Sequence, residues 1–182
     1  MIYDLPKSVE IQGKEYSIRY DYRAVLDIFM ALNDPDLSLN AKTLVALEIF
    51  YPEFSEMPRS HIKEAIEKCH EFINGGEKDQ NSKAPKLVDW EQDFKYIAAP
   101  VNRVLGYDVR DSEKETHWWT FISAYYEIGE CLFAQIVRIR DMQARGKKLS
   151  KSDREWLQKN RHLVDFKTKY TEAEDEILKQ FM

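Results

Sequence analysis

Six apolar residues, Ile62, Ala65, Ile66, Cys69, Phe72 and Ile73, recur at i, i+3, i+4 and i+7 without a miss. Only a helix can bury such a set on one face. The same period returns along the chain. After Asp21, a candidate N-cap, Val25, Leu26, Phe29 and Met30 repeat at helical spacing until "NDPD" at 33–36 stops them. A second helix is expected over about 40–51, where Pro52 ends it, and a third begins near Pro58 and stops at "NGG", 74–76. In the second half, Trp90, Phe94, Ile97, Val101, Val104 and Leu105 form a long stripe. Asp89 and Gln92 open it at capping-box spacing, Pro100 should kink it, and Gly106 can end it. Further helices are expected through the "HWW" segment at 117–119 and over about 130–144, stopping before Gly146. Ser152 with Glu155, and Thr171 with Glu174, offer two more capping boxes.

The first residues break this period. In "VEIQGKEYSI", 9–18, a two-residue turn at Gly13-Lys14 would pair Ile11 with Tyr16 and Val9 with Ile18. All four apolar side chains then share one face, and glycine at the first turn position suits a type II′ turn. A turn at Gln12-Gly13 would instead oppose Ile11 to Lys14 and Glu10 to Glu15. The expected fold is therefore mainly α, with about seven to eight helices and an N-terminal β-hairpin that must lie on them, because a lone hairpin is marginal.

Between 75 and 86, "GGEKDQNSKAPK" has one apolar residue and no period, which reads as a flexible linker. The expected organisation is hairpin plus helices over 1–74 and a helical region over 87–182, packed together as one domain. Hydrophobic residues make up 43% of the chain and charged residues 32%, enough for a core and too apolar for a disordered chain. A net charge of −5 argues against a protein that coats nucleic acid. Cys69 and Cys131 fit a reducing compartment, and "MIYDLPKSVE" has no signal-peptide pattern. The most apolar run, Leu44 to Phe50, contains Glu48 and is too short to span a bilayer.

Chemistry-bearing constellations are few. In "THWWTFISAYY", 116–126, Trp118, Phe121, Ile122 and Tyr125 fall on one helical stripe with Trp119 and Tyr126 beside it. Such a face reads as core rather than as a stacking platform, with His117 a cap at the helix start. Cys69 and His70 are adjacent, so a helix points them about 100° apart. His61 and His162 have no partner at ligand spacing. No metal, cofactor or catalytic residue is expected. There is no phosphate-binding glycine motif and no nucleophile elbow. Asp89, Glu91 and Asp93 read as acids at a helix start, where the macrodipole favours them. Arg138, Arg140, Arg145, Lys147, Lys148 and Lys151 form the one candidate phosphate or nucleic-acid patch. Cations near a helix C-terminus have a plainer origin, and few aromatics interleave with these, so nucleic acid is a disfavoured partner. Near the end, Ile177, Leu178 and Phe181 make a short apolar edge, a candidate partner-binding surface unless it docks on its own core.

"LPKSVEIQGKEYSIRYDYR" (5–23), "VDWEQDFKYIAAPVNRVLGYDV" (88–109) and "HWWTFISAY" (117–125) together resemble the bacteriophage gene-product-fifteen family of siphophages and prophages. "LSKSDREWLQKNRHLVDF" (149–166) is similar to the family's C-terminal portion. The resemblance implies a non-enzymatic protein of the tail-morphogenesis block, encoded between the major tail protein and the tape measure. The expected role is that of an assembly chaperone binding tape-measure or tail-tube protein. It would act in the host cytoplasm, with association with the virion as the alternative, and no membrane partner is implied. A nucleic-acid-binding protein or a structural virion component is the rival reading. The sequence sets no oligomeric state.

Overall fold

A computed structural model describes residues 4–77 and 84–171. Among them a two-stranded antiparallel hairpin, β1 (Ser8–Ile11) and β2 (Lys14–Ser17), precedes seven α-helices. These are α1 (Tyr22–Leu32), α2 (Leu39–Phe50), α3 (Ile62–Ile73), α4 (Trp90–Leu105), α5 (Trp118–Tyr126), α6 (Leu132–Ala144) and α7 (Lys151–Val164). Two short 3₁₀ turns, Phe54–Glu56 and Arg59–His61, lie between α2 and α3. The fold is mainly α with an N-terminal hairpin, as the apolar period requires.

The chain divides into two compact units. The first is drawn from Met1–Gln80, Glu115–Thr120 and Thr168–Met182, the second from Asn81–Lys114 and Phe121–Lys167. The division therefore differs from a simple split at the linker. The cause is a short bridge in the first unit, where Tyr22 N–H donates to the Thr116 carbonyl at 2.9 Å and Trp118 N–H to that of Tyr20 at 2.7 Å. Half of the expected linker, 78–83, lies outside the described residues, as does the segment with Glu174, Ile177, Leu178 and Phe181.

In the first unit, the hairpin corrects the expected register. The pairs are Val9–Tyr16, Glu10–Glu15 and Ile11–Lys14, so the turn is Gln12-Gly13. Both turn residues have positive φ, 50° and 77°, the type I′ geometry whose twist matches paired strands. The Gln12 amide is held by the Ser60 carbonyl at 3.1 Å, which supports this backbone at a non-glycine position. Relative to the expected register, the partner of Ile11 moves by two residues, from Tyr16 to Lys14. An even slip leaves every side chain on its own face. Ile11, Tyr16 and Ile18 are buried as expected, Glu10 and Glu15 face solvent, and the Lys14 ammonium lies 4.6 Å from the Tyr16 ring centre.

Behind the hairpin, α1 packs on α2, α2 on α3, and α3 on β1. Asp21 caps α1 by accepting from Arg23 N–H. The buried residues of α1 are Tyr22, Val25 and Ile28, while Met30 is exposed, so the true stripe is turned slightly from the one expected. Ala65, Cys69 and Phe72 of α3 complete this core with Ala46, Leu47, Phe50 and Tyr51.

In the second unit, Ile97, Ala98 and Val101 of α4 are buried, together with Phe121, Phe133, Ile136, Ile139 and Val164. Asp89 caps α4 by accepting from Gln92 N–H at 3.1 Å, but the box is closed by Asp93, which accepts from Asp89 N–H at 2.9 Å. The Gln92 amide instead bonds the Asp165 carbonyl and the Lys167 N–H. α4 runs through Pro100 as one helix and ends at Gly106, whose φ of 77° is the left-handed stop. The N-cap of α7 is Ser150, which accepts from Asp153 N–H, rather than Ser152. The irregularity lies in α7 at Asn160 (φ −119°, ψ 23°), whose side-chain amide takes the Trp156 carbonyl at 2.9 Å.

Gly13→Ala forces a β-carbon into the left-handed region, and the loss expected in urea melts is about 1–2 kcal/mol. An unchanged midpoint would place the turn elsewhere.

Candidate functional site

The "HWW" stretch is structural. In the first unit, Trp118 is 1% exposed and its indole N–H donates to the Ile73 carbonyl at 2.8 Å. The Trp119 indole donates to the Phe72 carbonyl at 2.8 Å, with the two rings stacked 5.8 Å apart. The two indoles thus cap the C-terminus of α3, where carbonyls have no partner in the helix. In the second unit, Phe121 is fully buried, and Trp90 packs on Phe121 and Tyr125 at centroid distances of 6.2 and 5.1 Å. Tyr126 departs from the expected buried face. It is 75% exposed.

His117 caps α5. Its Nδ1 accepts from Trp119 N–H at 3.0 Å, and its Nε2 faces the Pro6 carbonyl at 2.9 Å. These partners fix the neutral tautomer with the proton on Nε2. The ring stacks on Tyr20 at 5.5 Å and meets the edge of Phe72. Burial depresses its pKa first, assisted by Lys7, against the opposing effects of the Pro6 bond and Asp21. With both ring nitrogens held by backbone groups, this imidazole ties the start of α5 to Pro6.

Cys69 is buried in the first unit, and burial pushes its thiol up to about 12, far from a reactive thiolate. Cys131 caps α6, its sulfur 3.5 Å from Ala134 N–H. Among the described residues no three His, Cys, Asp or Glu side chains gather to hold a metal ion. No helix of the described residues is long and apolar enough to cross a membrane. A depression along α3, lined by Lys63, Glu64, Glu67, Lys68 and Glu71 among others, holds an ion pair between Lys68 and Glu71 at 3.3 Å.

The basic patch changes most. Arg140 is 4% exposed, and Asp93 is completely buried against it. All five guanidinium N–H groups have acceptors. Nη1 and Nη2 bind the two Asp93 oxygens at 2.6 and 3.1 Å. The rest go to the carbonyls of Val164, Leu87 and Leu163 at 2.7, 3.0 and 3.1 Å. The Phe166 ring lies 4.1 Å from the guanidinium carbon. Arg140 therefore leaves the patch, because its side chain points into the second unit. Asp93 likewise is no mere dipole partner but its counter-ion. The other cations stay outside. Arg138 pairs with Asp153, and Arg145 and Lys147 with Asp141, whereas Lys148 and Lys151 are exposed. Sequence reasoning missed Arg140 because a helical period marks which face is inside only when that face is apolar.

The outward surface has a second feature. Leu39 is 80% exposed and Leu44, Met30 and Leu32 are 47, 39 and 38% exposed, all on the α1–α2 pair.

Two outcomes follow. Arg140→Ala leaves the Asp93 carboxylate unpaired and is expected to lower stability by about 3–5 kcal/mol. Replacing both, as Arg140→Met with Asp93→Leu, should still lose more than about 2 kcal/mol, since three carbonyls and the Asp89 N–H lose their partners. A double variant as stable as the natural chain would reduce the hub to an ordinary ion pair. His117 must stay neutral in the fold while the unfolded chain titrates near 6.5. Its contribution is complete above that pH and is lost as pH falls through about 6.5 toward the lower folded value. Denaturant melts of His117→Asn should lack the slope that begins as pH falls below about 6.5. An unaltered slope would assign it to other groups.

The family described as Bacteriophage Gp15 protein matches residues 1–166 of the chain. The chain belongs to that family. Comparison with curated proteins and with solved structures gave no match.

Proposed function

We propose that this member of the Bacteriophage Gp15 family works by binding, as an assembly chaperone that covers tape-measure or tail-tube protein until the phage tail polymerises. The observation that carries the reading is the row of large apolar side chains left in water on α1 and α2. Leu39 at 80% exposure and Leu44 at 47% stand on a helix whose inner face already buries Ala46, Leu47 and Phe50. Leu39 adds little to that core, and Leu44 leaves about half of its surface in water. Burying one fully against a partner is worth about 1.5–3 kcal/mol, so Leu39, Leu44, Met30 and Leu32 together can form the apolar centre of a reversible contact. A tape measure presents apolar helical seams before its tube forms, and a helix pair with an apolar outer edge can cover such seams. The chemistry-bearing residues point the same way, since His117, Cys69 and Arg140 each have a structural occupation. The role needs no catalysis and is exercised in the host cell before tails are complete.

Co-expression with the tape measure encoded beside it is the test. The expected result is a higher soluble yield of that partner and co-purification that survives moderate salt, because the contact is apolar. Leu39→Asp should cut capture at least about tenfold and leave the thermal midpoint unchanged, since that side chain lies mostly in water. A chain ending at Tyr170 measures the share of Ile177, Leu178 and Phe181. No co-purification at low salt, and no gain in yield, would favour a structural tail component instead.

A further inference from the structure

Charge in this chain is segregated. Residues 138–169 hold eleven Lys or Arg and four Asp or Glu, leaving 16 of the 27 cations and 28 of the 32 acids for the rest. Within that stretch the fold neutralises one part and leaves the other. Arg140 is buried on Asp93, Arg138 sits on Asp153, Arg145 and Lys147 on Asp141, and Arg161 on Asp165. Lys148, Lys151, Arg154 and Lys159 are exposed and have no ion-pair partner among the described residues. Lys151, Arg154 and Gln158 share a face of α7 at i, i+3 and i+7, with Lys159 beside them and Glu155 as the one acid among them. The opposite face carries Trp156, Leu157 and the buried Val164.

The position of these cations is what needs a cause. Arg145 and Lys147 follow the C-terminus of α6, where positive charge is stabilising. Lys151 is the first residue of α7 and Arg154 lies one turn in, where the macrodipole and their mutual repulsion both disfavour positive charge. Fold stability therefore does not explain them. We propose that the outer face of α7, continued through Lys148, is a docking surface for an acidic segment of a protein partner. The charge match selects an anion. The dimensions select a short one, since α7 is about 20 Å long and some six residues of extended acidic chain would run along it. Nucleic acid fits less well. The only aromatic of α7, Trp156, lies on the inner face, so bases find no stacking partner. This surface is polar and separate in kind from the apolar edge of α1 and α2.

The test uses the full chain, a labelled twelve-residue peptide of alternating Glu and Ser, and a DNA duplex of similar charge. Expected is saturable peptide binding that falls with salt and drops at least tenfold in Lys151→Glu with Arg154→Gln. Lys63→Glu on α3 should leave that binding unchanged. The thermal midpoint of the double variant should hold or rise, because the cations it removes oppose the helix dipole. Four results would overturn the proposal: no peptide binding at low salt, an equal loss in Lys63→Glu, a duplex bound more tightly than the peptide through the same residues, or a lowered midpoint showing that Lys151 and Arg154 serve the fold.

Discussion

A guanidinium with five N–H groups and five protein acceptors organises the second unit. Transferring Arg140 from water to the interior carries a desolvation penalty of several kcal/mol even in real proteins. Only the complete set of partners offsets it. Those partners come from the approach to α4 (Leu87), its first turn (Asp93) and the end of α7 (Leu163 and Val164), with Phe166 stacked beyond. One side chain on α6 therefore fixes where α4 begins and where α7 ends. Asp93 in turn holds the Asp89 N–H, so the cap of α4 and the ion pair form one network. Neutralising either member leaves a buried charge or orphaned carbonyls.

The first unit depends on a different kind of closure. Residues 115–120 return to the segments on either side of the hairpin and to α3, and four of their polar groups meet partners laid out far earlier in the chain. Asp21 accepts from Thr116 N–H at 2.8 Å, His117 reaches Pro6, and the Trp118 and Trp119 indoles close the end of α3. Aromatic residues used in this way combine packing area with a polar tip that satisfies a helix terminus. Their density at 117–126 reads as core in the sequence, and within the first unit Trp118 and Trp119 also tie this segment to the end of α3.

Much of the fold was legible because local rules govern it. The α3 stripe, the caps Asp21 and Asp89 and the stops at Gly106 and Gly146 follow from period and backbone chemistry alone. The hairpin was legible down to its buried face but not its turn, since registers two residues apart share that face and twist decides between them. The Arg140 network was not legible. A basic residue in a basic stretch gives no sign that an aspartate 47 positions earlier will meet it. The exposed Leu39 was equally hidden, because sequence pattern does not report which apolar residues stay outside.

His117, Cys69 and Arg140 serve the fold, and the proposed capture of a partner falls to the outer faces of the helices. Hydrogen exchange of the full chain, with and without the tape-measure protein it is proposed to bind, tests that claim most directly. Capture through the exposed leucines predicts new protection across α2 around Leu39–Leu44, with exchange across Trp118–Tyr126 unchanged. Protection confined to 116–126 would contradict it and restore the aromatic stretch as the binding site.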